Sequence, residues 1–227
     1  EALSNLMSMV TKELVKESSA VLGYTQSDEI SLLLYAKDFY SELYFNGKIF
    51  KINSILASLA ASVFNVFIPD FLPNKLGKLV TFDCRTWNVP TKEEAVNYFI
   101  WREQDAVKNS ISMAAQAHFS HQELHGCNST MKQNMLYKQY GINWNNYPDK
   151  FKRGQYIRRR LVERKPTAMD LFHLPPLHEA HTNPDFKIMR HDFVHLSNLP
   201  ILTKIENRVE VIFDDAPPII KENSDEQ

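Results

Sequence analysis

An α+β fold, with helices packed on a small sheet, is predicted by three features of this 227-residue chain. Two runs rich in strand-forming residues, "SAVLGY" and "EISLLLY", close on the polar tetrapeptide "TQSD". Strand and helix periodicities alternate up to about residue 119. One of the helical stretches is long, well capped and free of Pro and Gly.

Taken in order, "LSNLMSMVTKELVKES" has helical spacing through Leu3, Met7, Val10 and Leu14. The chain opens at Glu1 inside that pattern, without an initiator Met, so further chain is expected upstream. The two strand-like runs follow as a hairpin with Asp28 at its tip, since short polar residues favour tight reversals. A second helix is expected over about 45–67, burying Ile52, Leu56, Leu59, Val63 and Phe67, with Lys48 and Lys51 near its start. "KLVTFDCR" reads as a third strand ending in Asp83 and Arg85. Pro90, a Thr91 N-cap and Glu94 then open the long helix through "AVNYFIWREQDAVKNSISMAAQAHF".

Beyond residue 119 the pattern changes to short helices punctuated by Gly126, Gly141, Pro148 and Gly154. The chain is therefore divided into residues 1–119 and a C-terminal region, 120–227. Between Lys150 and Lys165 basic residues far outnumber acidic ones, with Trp144, Tyr147, Phe151 and Tyr156 interleaved. Cations that neutralise phosphates beside rings that stack bases make a nucleic-acid surface the favoured reading over a merely solvated strand, and Lys150, Lys152, Arg153 and Arg158 are its candidates. Residues 165–185 carry four prolines and three histidines and read as an exposed insertion, and the tail "ENSDEQ" is expected to fray.

Composition narrows the class. A content of 44% hydrophobic and 23% charged residues is ordinary for a globular protein. A net charge of −1 excludes a uniformly basic coat but not a local patch. Two cysteines are too few for a disulfide framework, and no signal-peptide pattern occurs, so a reducing, cytoplasmic setting is expected, with mitochondria the alternative in a eukaryote. The apolar run "ILASLAASVFNVFI" is shorter than a membrane span, and no membrane partner is expected. "HQELH" lacks the His-Glu order of a zinc-protease helix, and neither it nor His191 with His195 is read as a zinc site.

Asp28 and Glu29 admit two readings. Turn chemistry alone explains an Asp at a reversal. A divalent-metal site also needs carboxylates at such a place, because Mg²⁺ takes hard oxygen ligands and few of them from protein, and it would need a further acid from elsewhere. Asp83 is a candidate third acid, although Arg85, two residues on, shares its face and could simply pair with it.

"GYTQSDEISL", "FDCRTWNVP", "NYFIWREQDAVKNSI", "FSHQEL" and "YGINWNNYPDKFKRG" resemble, in order and spacing, the tRNA-His guanylyltransferase family, and more closely its Thg1-like branch. The resemblance covers about residues 1–157 and returns weakly at "LPILT". It implies a palm-like antiparallel sheet with packed helices, as in template-dependent polymerases, and nucleotide addition to tRNA 5′ ends in the 3′–5′ direction. Two Mg²⁺ ions would serve both phosphoryl transfers, with ATP and GTP as substrates. Asp28 matches the family's second metal-binding aspartate, and Glu29 beside it is the weaker candidate. Lys51 and Lys132 match lysines that contact nucleotide triphosphate, with Ser27, Lys48 and Arg85 assisting. The family's first metal-binding aspartate lies in an Asp-Gly motif upstream of the first helix, before the point where this sequence opens. The resemblance also implies a homotetramer. Where members that add an untemplated guanosine carry His-Ile-Asn-Asn, this chain has Val107, Lys108, Asn109 and Ser110, as in the template-dependent repair branch. The rival readings are an inactive tRNA-binding module and a palm-type nucleotide cyclase.

Overall fold

The structure, a computed structural model, describes residues 1–38 and 41–221; the "ENSDEQ" tail lies outside the described residues. Four strands, β1 (Leu22–Gln26), β2 (Glu29–Leu33), β3 (Gln155–Arg164) and β4 (Ile188–His195), form one antiparallel sheet in the order β2-β1-β3-β4. β3 comes from the C-terminal region yet pairs with β1, Leu22 opposite Arg158 and Tyr24 opposite Tyr156. The sheet therefore spans the division expected at residue 119.

Helices cover both faces. α1 (Ala2–Ser18) and α2 (Ile49–Phe71) enclose one core with Leu6, Met7, Val10, Leu14, Ile52, Leu56 and Phe64, against which Ile30 and Leu32 of β2 pack. Gly23 is what allows α1 so close, since a Cβ there would lie 2.6 Å from Val15 Cγ2 and 2.7 Å from Thr11 Cγ2. The opposite face carries α3 (Lys92–Gln116) and α7 (Arg208–Asp214), which close over Leu22, Tyr24 and Tyr156 with Val96, Phe99, Val211 and Ile212. A strand alternates its faces, so β2 sends Ile30 and Leu32 to the first core and Glu29 and Ser31 toward α3.

The long helix starts as its cap predicts, with Thr91 Oγ1 accepting the Glu94 N–H at 3.2 Å. The reciprocal half of the capping box is not made, because the Glu94 carboxylate accepts from Asn97 instead. α2 has the expected length but starts and ends about four residues later, and it buries Ile52, Leu56, Ala60, Phe64 and Ile68 at a spacing of four, leaving Leu59, Val63 and Phe67 half-buried at the edges of that face. At 23 residues it is long and apolar enough, by length and composition, to cross a membrane, which corrects the shorter span read from the sequence. Here one face of it is packed on α1.

"KLVTFDCR" is not a strand of the sheet. Its alternation is real, since Val80, Phe82 and Cys84 turn inward onto the α1–α2 core, but among the described residues no strand pairs with it. A helix side chain takes the place of a ladder partner: Asn65 of α2 donates to the Val80 carbonyl at 2.7 Å and accepts the Val80 N–H at 2.9 Å. Farther along, α4 (Ser129–Tyr140) packs on the end of α3 through Ala115, Phe119, Leu124 and Leu136. α5 (Asp149–Lys152) leads into β3, and α6 (Ala168–Phe172) sits in the exposed excursion between β3 and β4.

Candidate active site

The β1–β2 hairpin closes more tightly than "TQSD" suggested. Thr25 and Gln26 remain in β1, Gln26 pairs with Glu29, and only Ser27 and Asp28 make the turn. Ser27 carries the reversal at φ 50°, in the left-handed region. Thr25 Oγ1 donates to the Glu29 carbonyl at 3.0 Å and Gln26 Nε2 to Glu29 Oε2 at 2.8 Å, so both strand ends are clipped. Asp28 is exposed at the tip, and among the described residues its carboxylate makes no hydrogen bond or ion pair.

Two contacts fix the hairpin to α3. Arg102 donates to Glu29 Oε2 and, at 3.2 Å, to Asp105 Oδ2; the Ser31 hydroxyl bonds the Tyr98 hydroxyl at 2.9 Å. Arg102 lies over the Trp101 ring, 4.6 Å from its centroid, and its side chain is 9% exposed. These α3 residues were not singled out from sequence. The signal was present, for Tyr98, Arg102 and Asp105 recur at the helical three-to-four spacing and mark one face.

The remaining sequence candidates are spread along the surface. Lys48 and Lys51 stand exposed at the start of α2, Lys51 4.4 Å from the Phe45 ring centroid. Arg85 is bonded to Asp83 at 2.9 Å in an open pair, the bland outcome weighed for those two residues. The neighbouring Thr86 donates to Asn53 Oδ1 at 2.6 Å, which brings this segment beside the Lys51 turn of α2. Lys132 donates to Ser112 Oγ at 3.0 Å. Ser112 is ten residues beyond Arg102 on α3, a rise of about 15 Å, so Lys132 and the hairpin stand at separate stations along one helix.

Two of the basic candidates, Arg153 and Arg158, are turned inward. Arg158, expected on the RNA surface, is 2% exposed and donates to the Val211 and Ile212 carbonyls at 2.6 and 2.9 Å and to Asp215 at 2.9 Å. Burial lowers its pKa despite the Asp215 charge. It serves the C-terminal end of α7, whose last carbonyls have no helical partner, and is corrected here to a structural role. Arg153 donates to Glu103 at 3.1 Å, to Asp149 at 2.9 Å and to the Leu199 carbonyl at 2.7 Å. Glu103 is itself buried and also accepts the Leu202 N–H, and burial raises its carboxyl above the usual range against the pull of Leu202 and Arg153. Arg153 thus joins α3, α5 and the 199–202 turn. Lys150 pairs with Glu1 at 3.1 Å, and Lys152 with Asp149 at 3.1 Å, with the Asn145 carbonyl at 2.9 Å and with the Trp144 ring.

Gly154 completes this joint. At φ +83° and with a would-be Cβ 2.6 Å from Tyr24 Oη, it leaves room for that hydroxyl to reach the Arg153 carbonyl at 2.8 Å. A cleft of about 230 Å³ opens beside it, lined by Glu103, Arg153, Gln155, Tyr156, His195 and Leu199. A smaller hollow at Gln26 and Ser27 shares Lys150 and Gln155 with that cleft and so links it to the hairpin turn.

Among the described residues no three His, Cys, Asp or Glu side chains converge as a metal cage. His191 and His195 lie on β4, where four residues span about 13 Å, so they do not form a pair. Mg²⁺ asks for less than a cage, since it is held by one or two carboxylates and completes its shell with water and substrate phosphates. Asp28 and Glu29 supply hard oxygens at one exposed tip and fit such a partial site.

Two family models account for most of the chain: tRNA(His) guanylyltransferase over residues 1–90 and the Thg1 C-terminal domain over residues 93–193. The chain belongs to the tRNA(His) guanylyltransferase family. The yeast tRNA(His) guanylyltransferase of Saccharomyces cerevisiae is 28% identical over 170 residues, covering 68% of this chain and 70% of the yeast protein. A bacterial Thg1-like protein in complex with ATP superposes with a TM-score of 0.73 at 32% identity, covering 94% of this chain and 80% of that one. A bacterial Thg1-like protein in complex with GTP gives 0.67 at 31% identity, covering 92% and 78%. The palm-like fold and the nucleotidyltransferase class of this chain follow from that membership. At the His-Ile-Asn-Asn position of the family, Ser110 here accepts the Trp144 indole N–H at 3.1 Å and donates to the Lys152 carbonyl at 3.2 Å, tying α3 to the C-terminal region.

Proposed function

We propose that this chain is a Mg²⁺-dependent 3′–5′ nucleotidyltransferase that activates tRNA 5′ ends with ATP or GTP and extends them against the opposing strand. The observation that carries the reading is the hairpin tip, where Asp28 stands exposed and unbonded among the described residues beside Glu29, on a palm sheet of this family.

Divalent ions, when bound, neutralise the charge that builds on a transferring phosphoryl group. Asp28 is the residue placed to hold them, with Glu29 beside it. The short turn keeps Asp28 at a fixed place relative to α3, because Thr25, Gln26, Arg102 and Ser31 brace the strands on either side. Lys51 and Arg85 flank the start of α2 and are assigned to triphosphate oxygens, with Lys48 and Ser27 assisting. Lys132, about 15 Å along α3 from Arg102, is too far to share one phosphate with Asp28 and is assigned to another phosphate of the same reaction, on the RNA 5′ end or on a second nucleotide. Such a division suits two successive phosphoryl transfers.

Lys150 and Lys152 remain the RNA candidates, since Arg153 and Arg158 are committed to the interior. That commitment also weakens the rival reading of a non-catalytic RNA binder, which rested on the basic run. The assembly is proposed to be a homotetramer, to be sized by light scattering. The decisive experiment incubates the protein with Mg²⁺, ATP, the four nucleotides and a 5′-truncated tRNA. Templated extension at the 5′ end is expected, and a protein that binds the tRNA yet neither activates nor extends it would overturn the proposal.

A further inference from the structure

The two hairpin carboxylates are not equivalent. Asp28 makes no hydrogen bond or ion pair among the described residues, whereas Glu29 is held on a single oxygen by two donors, Arg102 Nη2 and Gln26 Nε2. Glu29 remains 56% exposed in its side chain and directly follows Asp28 in the chain. A cation reaching that carboxylate meets a guanidinium already bound to it. Arg102 has somewhere else to go: the same nitrogen also contacts Asp105, and the Trp101 ring lies under the guanidinium.

We propose that Arg102 is a positioning residue that competes with the divalent cation for Glu29, so that the grip of α3 on the hairpin sets how tightly the site binds metal. The inference rests on the metal reading of the hairpin given above. In it Asp28 is the unconditional ligand. Glu29 joins only as Arg102 slackens toward Asp105, because two cations on one carboxylate repel each other and each weakens the other's hold. The arrangement couples metal arrival to a small shift of Arg102 between two acids it already touches. It also gives Asp105, which touches no metal, a share in metal affinity.

The test is a Mn²⁺ titration of the whole chain, with bound ion followed by loss of the free-ion electron paramagnetic resonance signal. Arg102→Gln is expected to tighten Mn²⁺ binding about tenfold by removing the competing charge, and Arg102→Lys to stay within about twofold of the parent, since one nitrogen makes both ionic contacts. In a Glu29→Gln background the Arg102→Gln effect should vanish. Tightening of the same size in that background would show that Arg102 does not act through Glu29, and unchanged or weaker binding by a folded Arg102→Gln would overturn the proposal. Should Arg102→Gln fail to fold, Asp105→Asn serves instead: it leaves Arg102 to Glu29 alone, so weaker Mn²⁺ binding is expected and unchanged or tighter binding overturns the inference. Asp28→Asn separates the two levels. If it leaves Mn²⁺ binding intact, the hairpin is not the metal site and the inference falls with that reading; if it abolishes binding, only the Arg102 arms decide.

Discussion

The β1–β2 hairpin and strand β3 are both charged, adjacent in the sheet and conspicuous in sequence, yet they use charge in opposite ways. At the hairpin, Asp28 is left open while its neighbours are braced. Along β3, the charges are spent inward or on one another: Arg158 holds the end of α7, Arg160 bonds Asp215, and Arg164 bonds Asp170. A charge with no partner in the folded chain is available to a ligand, whereas one that caps a helix is part of the fold. Density of charge along the chain does not distinguish them; pairing does.

The largest effect expected from that contrast is on chemistry alone. Asp28→Ala should cut 5′ activation and nucleotide addition by on the order of 10³-fold, as loss of a group that stabilises transition-state charge does. Urea unfolding should move by no more than about 0.5 kcal/mol, because an exposed turn side chain with no partner supports nothing else. Retained activity in Mg²⁺ would erase the contrast.

Arg158→Ala is the converse experiment, a loss of fold. Asp215 is 37% exposed and would keep Arg160, so the cost comes mainly from the buried Val211 and Ile212 carbonyls left without a donor, about 1–3 kcal/mol. Denaturant titration reads this directly. A stability within 1 kcal/mol of the parent, taken as roughly the cost of an ordinary substitution, would return Arg158 to the surface.

The pH dependence of the same contact sharpens the comparison. Burial opposes the charge on Asp215, but Arg160 and Arg158 outweigh it and hold the carboxyl below its ordinary value. A lowered folded-state pKa contributes stability that is complete above the unfolded value of about 3.9 and is lost as pH falls through the folded one. Asp215→Asn is therefore expected to be less stable than the parent at pH 7, with the gap closing below about pH 4. A gap independent of pH would show that its charge is not what matters.

The smallest effect concerns RNA. Replacing Lys150 and Lys152 by Ala should lower the salt slope of tRNA affinity by about two if each contacts one phosphate. Both lysines already have acidic partners in this fold, so the loss at physiological salt is expected to be small. An unchanged slope would make β3 and its approach wholly structural.

Much of the architecture was legible because it is local. The hairpin announces itself through two strand-forming runs around a polar turn, and α3 through Thr91 and a stretch without breakers. "KLVTFDCR" shows the limit of that reading. Its period of two correctly places Val80, Phe82 and Cys84 inward, but alternation says only that one side is buried. Whether a strand or an Asn65 side chain satisfies the backbone is a matter of what lies alongside. The site divides the same way. Asp28 was readable from its turn, while Arg102 and Glu103 were hidden in a helix because their partners lie 73 and 99 residues away.

By itself the sequence determined the hairpin, the long capped helix, the absence of a disulfide framework and a resemblance strong enough to name a family. All of these depend on neighbours within a few turns of chain or on short motifs in fixed order. Only the tertiary structure decided that β3 completes the sheet across the expected division, that Arg153 and Arg158 belong to the interior, and that Asp28 has no partner among the described residues while Glu29 is held. The reason is that a charged side chain is defined by its partner. When that partner is brought in by strand pairing and helix packing from dozens of residues away, no local pattern records whether the charge is satisfied or left for a ligand.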